Sequence, residues 1–127
     1  MKHILIVDDD PEIRHLFERF LQEKGFATVL AGDGFDAIIS MEEQLPDLII
    51  TDIIMDGMDG LALIREVKKS DPHIPVIAIS GGQCVLSVDF EPHAEKTGAD
   101  EFLEKPIRLV DLLQSIQTLL DENPPTD

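Results

Sequence analysis

A doubly wound α/β sandwich, in which helices cover both faces of a parallel sheet, is the fold this sequence predicts, on two observations. Short β-branched apolar runs alternate with helix-period segments five times along the chain, and the apolar runs stop abruptly at polar or charged residues. Consecutive strands separated by a helix pair in parallel through right-handed crossovers, so every strand ends on the same edge of the sheet. At 127 residues the chain has one domain's length, enough to bury a core without disulfide or metal staples.

Each element has its own signal. Ile4 to Val7 is the first strand, closed by Asp8-Asp9-Asp10-Pro11, where Asp10 is an N-cap and Pro11 a first helical residue. Ile13, Leu16, Phe17, Phe20 and Leu21 then recur at helical spacing up to a stop at Gly25. Phe26 to Ala31 is a second strand, less apolar and so nearer an edge. Gly32-Asp33-Gly34 turns into a second helix whose buried side draws on Phe35, Ala37, Ile38 and Met41, ending before Pro46. Leu48 to Ile53 is the most apolar strand and reads as buried on both faces.

A third helix runs from Gly60 to about Ser70 through Leu61, Ile64 and Val67, and an Asp-Pro turn follows at Asp71-Pro72. Pro75 to Ile79 is the fourth strand, broken by Ser80-Gly81-Gly82. A loop is expected from Gly81 to Asp89, then a short fourth helix from Phe90 or Glu91 to Thr97, with Pro92 tolerated in its first turn. Glu101 to Glu104 is the fifth strand, ended by Lys105-Pro106. Leu109, Leu112, Leu113, Ile116, Leu119 and Leu120 give the last helix one apolar face. The expected organisation is one domain over residues 1–121, with 122–127 a flexible tail or the start of a linker.

Charge narrows the function classes. Twenty-six acidic residues against ten basic ones give a formal net charge of -16, which argues against direct binding to nucleic acid or to an anionic membrane. A single cysteine, Cys84, leaves no internal disulfide, and no leader-like segment precedes the first strand, so the expected location is cytoplasmic. His3, His15, His73 and His93 are scattered without zinc-like spacing.

What remains is carboxylate chemistry at the strand ends. Asp52 interrupts the most apolar run, and an isolated buried carboxylate is costly, so either it begins a turn or other groups justify its charge. In the flavodoxin-like strand order 2-1-3-4-5 the first and third strands are neighbours, and Asp8, Asp9 and Asp52 converge at the point where strand order reverses. Ser80 and Lys105 end the fourth and fifth strands on the same edge. Each residue alone has a bland reading as a loop or surface group; together they are hard to explain by chance. Carboxylates a few ångströms apart repel strongly, and an all-oxygen site suits Mg²⁺, or Mn²⁺ in its place. A cation there attracts a phosphoryl group, with Asp52 as nucleophile, Lys105 and the Ser80 hydroxyl on the phosphoryl oxygens, and Gly81 leaving room.

From Lys2 to about Leu120 the chain resembles a two-component response regulator receiver domain of the single-domain, chemotaxis-regulator kind. The resemblance is carried by Asp8-Asp9, Asp52 in Asp-x-x-Met, Ser80-Gly81, Gly98-Ala99-Asp100 and Lys105-Pro106. It implies a signalling module that catalyses only its own phosphotransfer and slow dephosphorylation. Asp52 is then the phosphoacceptor, Mg²⁺ is held by Asp9, Asp52 and the Ile54 backbone carbonyl with Asp8 through water, and the Lys105-Pro106 bond is cis. It further implies a switch in which Ser80 and Phe102 alter the surface of the fourth helix, fifth strand and fifth helix. The implied partners are a histidine kinase or phosphotransfer protein and a downstream protein target, with the chain monomeric or weakly dimeric on phosphorylation.

Departures from the pattern are informative. Asp56 stands where receivers usually carry proline, adding a carboxylate near the metal. Phe102 has no hydroxyl, so its rotamer preference rests on packing. The Ser80 to Gly98 segment is about three residues longer than usual for the family, which makes the 81–89 loop either a harmless surface insertion or a segment ordered by phosphorylation or partner binding. Ile54 and Gly82 cannot orient an attacking water, which implies slow self-dephosphorylation. A phosphatase of the haloacid dehalogenase type would want a carboxylate where Ile54 stands, and a flavin phosphate would be repelled by Asp8-Asp9-Asp10.

Overall fold

The computed structural model describes residues 1–53, 60–80 and 98–122. Ile54, Asp56, Gly81, Gly82, the expected loop over 81–89, the expected short helix ending at Thr97 and residues 123–127 lie outside them. Strands β1 (His3–Val7), β2 (Ala27–Ala31), β3 (Leu48–Asp52), β4 (Val76–Ser80) and β5 (Glu101–Glu104) form one parallel sheet in the order β2-β1-β3-β4-β5. Helices α1 (Pro11–Glu23), α2 (Gly34–Glu43) and α3 (Gly60–Ser70), with a C-terminal helix at Leu109–Glu122, cover it. This is the flavodoxin-like α/β sandwich that the alternating pattern predicts.

The alternation of side chains along each strand builds two separate cores. Leu5, Val7, Ile49, Val76 and Ala78 face α2 and α3, where they pack with Ala37, Met41, Leu63, Ile64 and Val67. Ile4, Ile6, Leu48, Ile50, Ile77 and Ile79 face α1 and the C-terminal helix, meeting Phe17, Leu21, Leu112, Ile116 and Leu119. β1 from Ile4 onward, β3 and β4 are therefore buried on both sides, each large aliphatic side chain contributing roughly 1.5–3 kcal/mol of transfer free energy.

Helix starts follow the local chemistry. The Asp10 carboxylate accepts from the Glu12 N–H at 2.9 Å ahead of Pro11, and Asp33 accepts from Asp36 N–H at 2.9 Å at the head of α2. Two expectations are corrected. Phe35, expected on the buried side of α2, is 55% exposed, and Leu16 of α1 is 49% exposed. The reason is angular: at 100° per residue the buried arc of α2 centres on Gly34, Ala37 and Met41, and Phe35 falls a quarter turn outside it. Strand limits differ by a residue or so, most usefully at β4, which extends to include Ser80.

The edge at which the strands begin is tied by a polar knot. Lys68 of α3 donates to the carbonyls of Ile74 at 2.6 Å and Pro72 at 3.3 Å and to the Asp100 carboxylate at 2.8 Å. The same Asp100 oxygen accepts the Val76 N–H at 2.8 Å, and the Asp100 N–H donates to the Val76 carbonyl at 2.8 Å. Gly98, with φ +106°, presses on the stem of Lys68, so a side chain there would meet both backbone strain and Lys68 Cγ. Asp100 is thus the residue that registers β5 on β4. Asp100→Ala leaves the Lys68 ammonium and the Val76 N–H without this acceptor, and the expected loss in urea unfolding is about 2 kcal/mol, close to that of Lys68→Met. Additive losses in the double variant would contradict a shared network.

Candidate functional site

At the opposite edge, where the strands end, the backbone fixes the carboxylates before any side chain acts. The Asp8 N–H donates to the Ala31 carbonyl at 3.1 Å, the Ile53 N–H to the Ile79 carbonyl at 2.9 Å, and the Lys105 N–H to the Ser80 carbonyl at 2.8 Å. The ends of β1, β3, β4 and β5 are therefore locked to their neighbours, and Asp8, Asp52, Ser80 and Lys105 come out of one frame. Asp8, Asp9 and Asp52 each present an oxygen within 4.8 Å of the others. Asp8 and Asp52 are buried at 2% and 5% exposure, whereas Asp9 is exposed.

Lys105 answers part of this charge. Its ammonium lies 3.2 Å from Asp52 Oδ2 and 3.8 Å from Asp8 Oδ2. Burial works against the ammonium, but Asp52, then Asp8, a hydrogen bond to Asp52 and Asp9 together outweigh it and hold its pKa above the ordinary value. Asp8 goes the other way. Burial is the main influence, opposed by the Asp10 N–H at 2.9 Å, reinforced by the charge of Asp52, opposed by Lys105 and reinforced by Asp9, and the carboxyl is pushed up from 3.8 to about 6. One lysine does not balance the cluster. The donor set is all oxygen with a half-open rim, which fits a hard divalent cation such as Mg²⁺ or Mn²⁺.

Ser80 is fully buried, and its Oγ is a buried side-chain polar atom with no hydrogen-bond partner among the described residues. An unsatisfied buried hydroxyl is expensive unless something accepts from it at some stage of function. The Lys105-Pro106 peptide is cis. Phe102, in register with Ala78, is half-buried against the α2 and α3 core. Ile54, Gly81 and Asp56 belong to the undescribed segments, so the structure brings together Asp8, Asp9, Asp52 and Lys105 and sets Ser80 on the same edge.

Three contributors escaped sequence reasoning. Arg14 of α1 donates to the Asp8 carbonyl at 2.6 Å, Thr51 donates to the Asp52 carbonyl at 2.9 Å, and Gly60 opens α3 directly against β3. A Cβ on Gly60 would run into the Asp52 carbonyl oxygen and stand 2.7 Å from Ile53 Cα, while the Gly60 N–H donates to the Ile53 carbonyl at 2.8 Å. A hydroxyl interrupting an apolar strand was a legible signal for Thr51; nothing local marks Arg14 or Gly60.

A buried carboxylate beside an acidic pair and a lysine, at the reversal point of a flavodoxin-like sheet, is the arrangement at this edge. The response regulator receiver domain family matches residues 4–117, and the chain belongs to that family, whose setting is two-component signal transduction. It is 32% identical to the response regulator MprA of Mycobacterium leprae over 98% of this chain and 53% of that protein. It is 35% identical to the transcriptional regulatory protein PrrA of Mycobacterium tuberculosis over 92% of this chain and 49% of that protein. The chain thus spans about half the length of these two relatives. Among solved structures, the receiver domain of NtrX from Brucella abortus superposes with a TM-score of 0.86 at 35% identity, covering 93% of this chain and 98% of that one. A CheY-like receiver domain protein from Methanospirillum hungatei gives 0.90 at 28% identity over 97% and 96%.

The Asp8 carboxyl sets a pH dependence. Its folded pKa is raised, so the folded protein holds that proton more tightly than the unfolded chain, and stability falls as pH rises from about 4 to about 6. Ionised Asp8 is then a cost at neutral pH. Without divalent cation, Asp8→Asn is expected to be more stable than the parent by about 2 kcal/mol above pH ~7, with most of the gain gone near pH ~4. Urea midpoints at the two pH values measure it, and an equal gain at both would contradict the buried-charge account.

Proposed function

We propose that this chain is a phosphorylation-controlled receiver in which Asp52 takes a phosphoryl group from the phosphohistidine of a histidine kinase or phosphotransfer protein. The observation that carries the reading is the Lys105 ammonium at 3.2 Å from the Asp52 carboxylate, beside the acidic pair Asp8 and Asp9. In the step, an Asp52 carboxylate oxygen forms a bond to phosphorus while the phosphorus–nitrogen bond breaks and the imidazole leaves with its electron pair. Lys105 neutralises charge on the transferred group. The Ser80 hydroxyl, buried and without a partner among the described residues, donates to a phosphoryl oxygen. Asp8, Asp9 and Asp52, with the Ile54 carbonyl, would hold Mg²⁺ or Mn²⁺, which supplies charge neutralisation for the phosphoryl oxygens. Asp56 adds a carboxylate two residues beyond Ile54 in the sequence.

The output is a change of protein contacts. Engagement of Ser80 with the phosphoryl group makes room for Phe102 to repack, and β5 with its flanking segments presents an altered surface to a downstream protein. The strongly acidic charge supports a protein rather than a nucleic-acid target, and the receiver acts in the cytoplasm as a monomer or weak phosphorylation-dependent dimer. Incubation with acetyl phosphate and Mg²⁺ is expected to add one phosphoryl group to the intact mass, abolished in Asp52→Asn. With Ile54 and Gly82 at the positions that would steer water, the label should persist for minutes or longer. No mass gain, or decay within seconds, contradicts the proposal.

A further inference from the structure

The other end of the molecule carries a feature that phosphotransfer does not use. Between α2 and α3 runs an open groove of about 330 Å³. It lies toward Leu45 and Asp71, where β3 and β4 begin, and so at the far end of the sheet from Asp52. Ile38, Met41 and Leu45 contribute its apolar lining, and Leu45 is 51% exposed. Among the described residues, every charged residue lining it is acidic: Glu42 on α2, Glu66 on α3 and Asp71 beyond it. Lys68 of α3 is not among the lining residues and is held by Asp100 and two carbonyls. Further up α2, Phe35 and Ile39 stand one turn apart on the outer face, each more than half exposed, although they cost a soluble protein apolar surface.

An apolar floor with a wholly negative rim has one complementary ligand chemistry. It fits the apolar face of an amphipathic helix or strand whose flanking residues are lysine or arginine. A second copy of this chain is disfavoured, because each copy carries a net charge of -16 and would bring like charge to an acidic rim. An anionic membrane is disfavoured on the same ground. We infer that the α2–α3 groove docks a cationic amphipathic segment of a partner protein, with Leu45 and Ile38 as apolar anchors and Glu42 and Glu66 as charge partners. Because the groove is at the strand-start edge, this docking does not depend on the state of Asp52. It tethers the receiver constitutively while the opposite edge does the switching.

The test uses the full chain and a fluorescent Leu/Lys amphipathic peptide of about 15 residues, long enough to form a helix when bound. Binding is expected to weaken about tenfold in Leu45→Asp and in Glu42→Lys/Glu66→Lys. It should be unchanged in Leu16→Asp, which removes an exposed leucine from α1, and in wild type treated with acetyl phosphate and Mg²⁺. These positions are exposed or lie on the rim, so circular dichroism checks that folding is intact. Absence of binding, or equal weakening in Leu16→Asp, overturns the assignment as nonspecific attraction to an acidic protein. A concentration-dependent dimer that Leu45→Asp abolishes would overturn it in favour of a second copy. Loss of affinity on phosphorylation overturns the constitutive role while leaving the reading of Asp52 intact, and failure of Asp52 to accept phosphate leaves the groove result standing.

Discussion

Repulsion among Asp8, Asp9 and Asp52 is the constraint around which the rest of this structure is arranged. Their oxygens lie within 4.8 Å of one another, where two like charges oppose each other by roughly 4 kcal/mol at an effective dielectric near 20. A sheet buried on both faces supplies the force that holds them there. Hydrogen bonds close β1 on β2, β3 on β4 and β4 on β5 at their ends, and β1 pairs with β3 up to Val7 opposite Thr51. Lys105 relieves part of the repulsion and itself becomes a stronger base, while Asp8, the most enclosed member of the cluster, keeps a proton up to about pH 6. A site that is uncomfortable without added positive charge is poised to bind it.

Much of this was readable in the chain because the signals were local and redundant. The strand pattern from Ile4 to Val7 and from Leu48 to Asp52, with acidic residues at the stops, dictates both the parallel sheet and the edge on which the carboxylates gather. Asp10 before Pro11 and Asp33 before the second helix announce their caps directly. Phe35 was misplaced because a single aromatic near a helix start satisfies helical spacing without stating which side of the arc it occupies. Arg14 and Gly60 were invisible for a different reason. Their roles depend on what lies across the fold, a carbonyl of Asp8 and a carbonyl of Asp52, and no pattern within their own helices encodes that neighbour.

The two edges of the sheet divide the work. At the strand-start edge, Lys68 and Asp100 satisfy each other and the surrounding backbone, and the outcome is rigidity. At the strand-end edge, the Ser80 hydroxyl has no partner among the described residues and Asp8 and Asp52 share the Lys105 ammonium beside a third carboxylate, Asp9, and the outcome is unbalanced charge open to a cation. Residues of the same chemical types thus form a satisfied network at one end and a charge-imbalanced cluster at the other.

The central claim, that the acidic cluster is built for a divalent cation, is tested most directly by thermal unfolding in MgCl₂ against NaCl at matched ionic strength near neutral pH. A specific site gives a rise in Tm with MgCl₂ that NaCl does not reproduce, worth about 2.7 kcal/mol at a hundredfold excess over Kd, and largely lost in Asp9→Asn. Identical effects of the two salts, or an undiminished MgCl₂ effect in Asp9→Asn, would show that the carboxylates respond only to general screening and contradict the account.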